Sequence, residues 1–138
     1  MTEVQASETV AIIGAGAMGG AIARRLADVG CSVRAYDPNE AQVAALRSYN
    51  VVSTRSIAEV VEGVRFVITC LPNGTVLRSV VGEIVSSLSR HTVEKPLVLD
   101  CSTVAPSESF AAYSELRSIG VDFVDMPVGR TTDDCDSF

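Results

Sequence analysis

The feature that most constrains the fold of this chain is a glycine-rich run, GAGAMGG, at positions 14–20. An apolar, β-branched stretch over 9–13 leads into the run, and an Ala/Arg/Leu helix pattern over 21–29 follows it. A second apolar strand, 32–36, then ends in the acid Asp37. A strand, a glycine turn, a helix, a strand and a terminal acid in this order form the fingerprint of a dinucleotide-binding βαβ unit.

Each glycine of the GxGxxG spacing has its own expected role. Gly14 permits the sharp turn off the strand, Gly16 lets a pyrophosphate approach the backbone, and Gly19 lets the helix pack close to the sheet. The phosphates would bind backbone N–H groups at the positive end of the helix dipole, so no basic side chain is needed. We predict that Asp37 accepts hydrogen bonds from both ribose hydroxyls and repels a 2′-phosphate, which favours NAD over NADP. The alternative is an ordinary strand-to-helix turn in which Asp37 caps the following helix.

Composition and charge argue against several classes of function. The chain has 138 residues, of which 47% are hydrophobic, and this is enough for the core of one domain. Its net charge of −6 offers no basic surface, so we expect no nucleic-acid partner. No apolar run approaches the about twenty residues of a membrane-spanning helix, and segment 1–8 is polar and acidic, unlike a signal peptide. We therefore expect no membrane association.

The cysteines predict reduced thiols rather than a metal site. The four cysteines are widely spaced with no CxxC pair, and His91 is the one histidine of the sequence. We therefore expect no metal site. Cys70 and Cys101 fall within apolar strand patterns, where a buried thiol behaves as a small hydrophobic group. This usage favours a reducing compartment, and we expect a cytoplasmic protein.

Short apolar strands alternate with amphipathic helices along the chain. The expected strands are 9–13, 32–36, 51–53, 65–71, 96–101 and 121–128, and the expected helices are 21–29, 39–49, 56–61, 75–88 and 106–118. This alternation requires right-handed crossovers between parallel strands, so we predict an α/β fold with a doubly wound parallel sheet of the Rossmann type. We assign the dinucleotide-binding domain to residues 9–131, with tails at 1–8 and 132–138.

Candidate site residues follow the strands of this predicted sheet. Ligands of doubly wound sheets bind outside the carboxyl ends of the strands. Gly14, Asp37 and the segments 71–73, 102–103 and 129–131 all fall at such ends. We therefore expect these residues to converge on a single site, although they are spread across the sequence.

Four sequence blocks occur in a fixed order: GxGxMG at 14–19, TCLPN at 69–73, DCST at 100–103 and DMPV at 125–128. With these blocks the chain resembles, over about 10–131, the NAD-binding half of the β-hydroxyacid dehydrogenases. That family includes 3-hydroxyisobutyrate dehydrogenase and 6-phosphogluconate dehydrogenase. The resemblance implies an NAD-dependent oxidoreductase that transfers a hydride directly to or from a small anionic hydroxyacid or aldehyde.

The resemblance also implies roles for single residues. It implies that Ala17 and Met18 contact the pyrophosphate through their backbone, that Leu71 lies along the cofactor, and that Thr103 lies near the nicotinamide ribose. Ser102 is expected to face the substrate. The full set of expected cofactor-binding residues is Gly14, Gly16, Ala17, Met18, Gly19, Asp37, Leu71, Pro72, Asn73 and Thr103. The alternative is purely structural: Leu71 packs a strand end, and Ser102 and Thr103 cap the helix that Pro106 opens.

The chain departs from the family after the last block. Many members have Ser-Gly-Gly where this chain has Gly129, Arg130 and Thr131, and the departure resembles the sulfolactaldehyde reductase branch. A guanidinium is a planar fork of donors that suits a carboxylate, sulfonate or phosphate. We therefore expect Arg130 to hold an anionic substrate, with Gly129 and Thr131 beside it and Ser102 nearby. The alternative is that Arg130 is an ordinary surface arginine.

A second departure concerns the general acid, which the family carries as a lysine on an all-helical second domain. This sequence has one lysine, Lys95, which precedes the strand 96–101 at the amino edge of the sheet, away from the expected cofactor. The tail 132–138 does not continue as the family does. We therefore expect a cofactor half that lacks the second domain, contains no catalytic residue, and binds cofactor without turnover.

The sequence is also compatible with other functions. A non-catalytic sensor or scaffold that keeps the dinucleotide fold fits the missing lysine and the acidic tail. A third possibility is FAD or a nucleoside cofactor in the same crevice. In each case the apolar face that a second domain would cover is exposed, which predicts a homo-oligomer.

Overall fold

The computed structural model describes residues 8–88 and 94–128. Its strands are β1 Thr9–Ile13, β2 Ser32–Tyr36, β3 Val51–Ser53, β4 Phe66–Thr69, β5 Leu97–Asp100 and β6 Asp122–Asp125, and its helices are α1 Ala17–Asp28, α2 Glu40–Ala44, α3 Ile57–Val60, α4 Gly74–Leu88 and α5 Pro106–Arg117. Every strand pair is parallel. The six strands lie in the order β3-β2-β1-β4-β5-β6, so the predicted doubly wound Rossmann sheet is confirmed.

Two apolar cores cover the two faces of this sheet. Side chains alternate along β1, so that Ala11 and Ile13 pack on one face and Val10 and Ile12 pack on the other. The first face is covered by α3, α4 and α5, and the second is covered by α1 and α2. Because both faces are buried, the central strands read as continuous apolar runs in the sequence.

Helix α1 begins earlier than its sequence pattern predicts. It starts at Ala17, one turn before 21–29, because the glycine run itself forms the first helical turn. Gly19 and Gly20 are buried in that turn. Packing against the sheet therefore overrides the low helix propensity of glycine.

The predicted helix 39–49 is two separate pieces. Asn39 caps α2 by accepting a hydrogen bond from the N–H of Ala41 at 3.2 Å. A 3₁₀ turn, Arg47–Tyr49, then closes at Asn50, which adopts a left-handed conformation with φ 62°. Leu46 lies between the pieces and is buried in the core beside α1. The chain thus tightens where it buries this side chain, which periodicity did not reveal.

Strands β4, β5 and β6 are shorter than the segments that predicted them, and β6 is mostly exposed at the edge of the sheet. Their paired registers end at Thr69, Asp100 and Asp125. Beyond those positions the chain leaves the sheet, and the residues that follow become available to a ligand. Within the described ranges, no helix has the length and the apolar content needed to cross a bilayer.

Candidate functional site

A cleft of about 770 Å³ opens at the carboxyl ends of the central strands. It lies where β1 and β4 are neighbours and the chain order of the sheet reverses, which is where doubly wound folds bind ligands. Its walls include most of the predicted site residues: Gly14, Gly16, Ala17, Met18, Gly19, Asp37, Leu71, Pro72, Ser102 and Thr103. The fold therefore brings together predicted residues from four separate segments of the sequence.

Two glycines of the turn are required by the packing of the protein on itself. Gly14 has φ +94°, and a Cβ there would stand 2.1 Å from the carbonyl oxygen of Cys70. A Cβ on Gly19 would stand 1.8 Å from the carbonyl oxygen of Gly14. Any larger residue at these positions would push α1 away from β1 and β4. The N–H of Gly14 also donates to the carbonyl of Tyr36 at 2.9 Å, which fixes the turn to the end of β2.

Gly16 differs from the other two glycines. It is the N-cap of α1, with φ −68°, and no side chain caps the helix there. A Cβ on Gly16 would meet no atom within 4 Å. The protein itself therefore leaves this space open, and the exposed backbone there is accessible to a ligand.

The N-terminus of α1 forms the floor of this open space. Ala17 and Met18 line the cleft in the first turn of the helix. N–H groups of a first turn have no carbonyl partner within their own helix, and the helix dipole adds about half a positive charge there. The first turn of α1 contains no acidic side chain that would neutralise this charge. The helix end is therefore suited to bind an anion such as a pyrophosphate.

Asp37 stands at the rim of the same turn. Its Oδ2 accepts from the N–H of Ala15 at 2.9 Å, and its Oδ1 accepts from the N–H of Asn39 at 2.8 Å. The cap of α2 is Asn39, so Asp37 is not the N-cap residue of that helix. A carboxylate has about four lone-pair sites, so Asp37 keeps acceptor capacity on both oxygens for the hydroxyls of a ribose.

The ends of β4 and β5 are tied together by side chains. The Oγ of Ser102 accepts from the N–H of Leu71 at 2.8 Å. Below it, the buried Asp100 accepts through Oδ1 from the hydroxyl of Thr69 at 2.7 Å and from the N–H of Ser102 at 3.1 Å. These bonds hold the two strand ends in one arrangement. The hydroxyl proton of Ser102 is not used in the bond to Leu71.

The charges around the cleft have one sign. Among the described residues that line it, the acidic side chains are Asp37 and Glu83, and there is no lysine or arginine. Lys95 lies at the amino edge of the sheet, where its Nζ donates to the carbonyl of Leu88 at the end of α4 at 3.1 Å. Lys95 lines a separate cavity of about 390 Å³ at that edge. Within the described lining, backbone N–H groups are therefore the positive groups available to an anion.

Several residues predicted from the sequence have other positions. Asn73 does not line the cleft, because its Oδ1 accepts from the N–H of Val76 at 3.0 Å and so caps α4. The helix α5 is capped not by Ser102 or Thr103 but at Ala105, whose N–H donates to Glu108 at 3.0 Å. Residues Gly129, Arg130 and Thr131 lie outside the described residues.

Sequence reasoning missed one wall of the cleft. Helix α4 contributes Val76, Ser79, Val80 and Glu83, and α3 contributes Ile57. Further lining residues are Ile13, Tyr36, Pro38, Cys70, Cys101 and Val128. The helical period of 75–88 identifies the buried face of α4. The α4 residues that line the cleft belong to no recognisable sequence motif, so the sequence did not indicate them.

The fold and the site together define an NAD(P)-binding Rossmann domain. A glycine turn leads to a helix N-terminus at the switch point of the sheet, and an acid ends the second strand. The matching family model is described as the NAD binding domain of 6-phosphogluconate dehydrogenase, and it covers residues 9–136. This chain belongs to that family.

Individual relatives are consistent with this membership. The chain is 32% identical over 124 residues to 3-sulfolactaldehyde reductase of Escherichia coli K12, which covers 89% of this chain and 41% of that enzyme. It is 31% identical over 120 residues to 3-hydroxyisobutyrate dehydrogenase of Pseudomonas aeruginosa, which covers 86% of this chain and 40% of that enzyme. The solved structure of Mycobacterium tuberculosis 3-hydroxyisobutyrate dehydrogenase with L-serine superposes with a TM-score of 0.85 at 27% identity, over 92% of this chain and 42% of that one. The resemblance to the β-hydroxyacid dehydrogenases is confirmed, and the chain spans about two fifths of the length of these relatives.

Proposed function

We propose that this chain binds NAD in the cleft and is the cofactor-binding half of an NAD-dependent oxidoreductase. The observation that carries the proposal is the contrast within the glycine turn. At Gly14 and Gly19, carbonyl groups of the protein occupy the space that a side chain would need. At Gly16, no atom of the described chain occupies that space. The backbone of Gly16, Ala17 and Met18 would hold the pyrophosphate at the positive end of α1.

The preference for NAD over NADP follows from charge. The carboxylate of Asp37 has spare lone pairs for the ribose hydroxyls and would repel a 2′-phosphate. The described lining offers no lysine or arginine that could compensate for that repulsion. The 2′-phosphate of NADP would therefore meet the carboxylate of Asp37 with no cation from the described lining to offset the repulsion.

The remaining cofactor residues follow the strand ends. Leu71 and Pro72 would pack along the cofactor, and Thr103 would lie near its nicotinamide ribose. Asn73 would act indirectly, because its cap on α4 holds the segment that Leu71 and Pro72 belong to. When bound, the nicotinamide supplies or accepts a hydride.

The substrate would be a small anionic hydroxyacid or aldehyde. Ser102 can donate its hydroxyl proton to such a substrate while it accepts the N–H of Leu71. Arg130 would supply the cation for the acid group, with Gly129 and Thr131 beside it. No described side chain at the cleft is a lysine, so a lysine general acid of the kind the family resemblance implies would come from outside this described lining.

Two consequences apply to the 138-residue chain as it stands. It binds NADH but does not turn over hydroxyacids, so appreciable turnover would contradict an external general acid. We also expect it to associate with copies of itself through exposed apolar side chains, among them Phe110 on α5, which is 68% exposed, and Met126 after β6, which is 43% exposed.

Calorimetry with NADH and NADPH tests the cofactor proposal. We expect NADH to bind the chain at least about tenfold more tightly than NADPH. Hydrogen bonds to charged groups contribute about 1.5–3 kcal/mol, so Asp37→Asn is expected to weaken NADH binding by roughly 10- to 150-fold. The matched control is Glu83→Gln, which removes the other acid that lines the cleft and leaves the ribose site intact. Equal affinities for the two nucleotides, or an unchanged ratio in Asp37→Asn, would refute the assignment.

A further inference from the structure

Two cysteines lie side by side at the end of adjacent strands. Cys70 follows β4 and Cys101 follows β5, directly beyond the paired residues Thr69 and Asp100. The N–H of Cys101 donates to the carbonyl of Thr69 at 2.8 Å, which keeps the ends of the two strands in register. Neighbouring strands are about 4.8 Å apart, and this separation lies within the Cα range of about 4.4–6.8 Å that disulfides span.

Both thiols are on the same face of the sheet. Cys101 is buried in the core that α1 covers, and Cys70 packs against that core. Their side chains are hydrogen-bonded to each other, and this bond lowers the pKa of the Cys101 thiol, although burial and the charge of Asp100 oppose it. A lowered pKa increases the thiolate fraction, which is the reactive form of cysteine.

A small solute can reach the pair from the cleft. Both cysteines belong to its lining, and Cys101 is 7% exposed. Cys31 is not part of that lining. The chain therefore places a close pair of thiols, one of them acidified, at the bottom of an open cleft.

We propose that Cys70 and Cys101 form a dithiol modification site that a hydroperoxide converts to a disulfide. The Cys101 thiolate attacks one peroxide oxygen, so that an S–O bond forms, the O–O bond breaks, and the departing oxygen takes a proton to give water when the oxidant is hydrogen peroxide. The Cys70 thiol then loses its proton and attacks the Cys101 sulfur, an S–S bond forms, and the S–O bond breaks to release a second water. The pair loses two electrons, and the peroxide gains them.

The site is coupled to whatever occupies the cleft. Cys70 touches the glycine turn, since its Cβ is 3.3 Å from the position that a Cβ on Gly19 would take. A nucleotide bound over that turn covers both thiols. This part of the inference rests on the function proposed above. At a nucleotide concentration ten times its Kd, about one chain in eleven is unoccupied, so the rate of disulfide formation is expected to fall about elevenfold.

Peptide mapping after treatment with hydrogen peroxide tests the site directly. Trypsin places each cysteine in a separate peptide, and the four peptides are 26–34, 66–78, 91–117 and 131–138. We expect 66–78 to be linked to 91–117 and to be released by reductant. Cys31→Ser is the matched control and leaves the yield unchanged, whereas Cys70→Ser abolishes it. The proposal would be overturned if peptides 66–78 and 91–117 stayed unlinked and their cysteines were oxidised to sulfinic acid. It would also be overturned if either peptide were linked mainly to 26–34 or to 131–138.

Repeating the reaction with NADH separates this proposal from the previous one. A slower rate with NADH supports both the thiol pair and the proposed occupant of the cleft. Linked peptides that form at an unchanged rate support the thiol pair and contradict NAD binding over the turn. The two proposals can therefore fail independently.

Discussion

Replacing Gly16 by alanine separates binding from folding in this domain. The backbone at Gly16 has φ −68°, which alanine adopts, and the added Cβ would meet no atom within 4 Å. The fold therefore accommodates the methyl group. A ligand that approaches the backbone at the N-terminus of α1 would meet it directly.

The two effects of Gly16→Ala differ in size. Glycine is better than alanine at an N-cap by some tenths of a kcal/mol up to about 1, while alanine reduces the entropy of the unfolded chain by about 0.4–1 kcal/mol. These terms offset each other, so the free energy of unfolding is expected to change by less than about 0.5 kcal/mol. Losing one hydrogen bond from the backbone to a charged phosphate costs about 1.5–3 kcal/mol, so nucleotide binding is expected to weaken by tenfold or more.

Thermal unfolding without ligand and calorimetry with NADH measure the two effects. Gly20→Ala is the matched control, because its Cβ would stand at an ordinary contact distance of 3.5 Å from the carbonyl oxygen of Ala15. In the interior of α1 that change adds about 0.5–1 kcal/mol of stability and leaves the affinity unchanged. Normal NADH affinity in Gly16→Ala would refute the argument that this open space receives the pyrophosphate.

Three further outcomes follow from the same structure. Gly19→Ala places a Cβ 1.8 Å from the carbonyl oxygen of Gly14, so it is expected to lower the free energy of unfolding by about 1–3 kcal/mol or more in urea titrations. Cys70→Ala removes the bond that lowers the pKa of Cys101, so the thiolate absorbance of Cys101 is expected to appear at higher pH. Because folding lowers the pKa of Cys101, its thiolate contributes to stability above the unfolded-state pKa, and this contribution is lost as the pH falls through the folded-state pKa. In thermal melts at pH values that span these two pKa values, Cys70→Ala is expected to remove this pH-dependent stabilisation. Phe110→Ser reduces an exposed apolar surface, so it is expected to shift sedimentation toward the monomer at high protein concentration.

Most strands of this fold could be predicted from the sequence because they are short apolar runs between turn residues; β6, with an acid at each end, is the exception. The expected strands 9–13, 32–36 and 51–53 have the same bounds in the structure. The helices are less accurate at their ends, because those ends depend on tertiary packing. Gly19 and Gly20 are helical since the sheet buries them, and the helix predicted over 39–49 is interrupted where Leu46 is buried. Local propensity contains neither effect.

The candidate site could be predicted to the extent that it follows strand ends. Residues such as Asp37 and Ser102 were located because a parallel sheet gathers its carboxyl ends at one edge. The wall from α4 could not be located in this way, because Ser79 and Glu83 lie within a helix and belong to no motif. The ties below the cleft were also missed, because the bond from Thr69 to Asp100 joins residues that are 31 positions apart.

The glycines of such a motif meet two different requirements, close packing of the fold and access for a ligand, and the structure shows which glycine meets which. Gly14 and Gly19 are necessary wherever α1 lies this close to β1 and β4, whether or not a ligand is ever bound. A protein that kept the fold but lost its cofactor would still need both of them. Gly16 satisfies no such demand, since a side chain there would touch nothing in the described part of the protein. The packing of the fold therefore does not require a glycine at that position, whereas the proposed pyrophosphate site would.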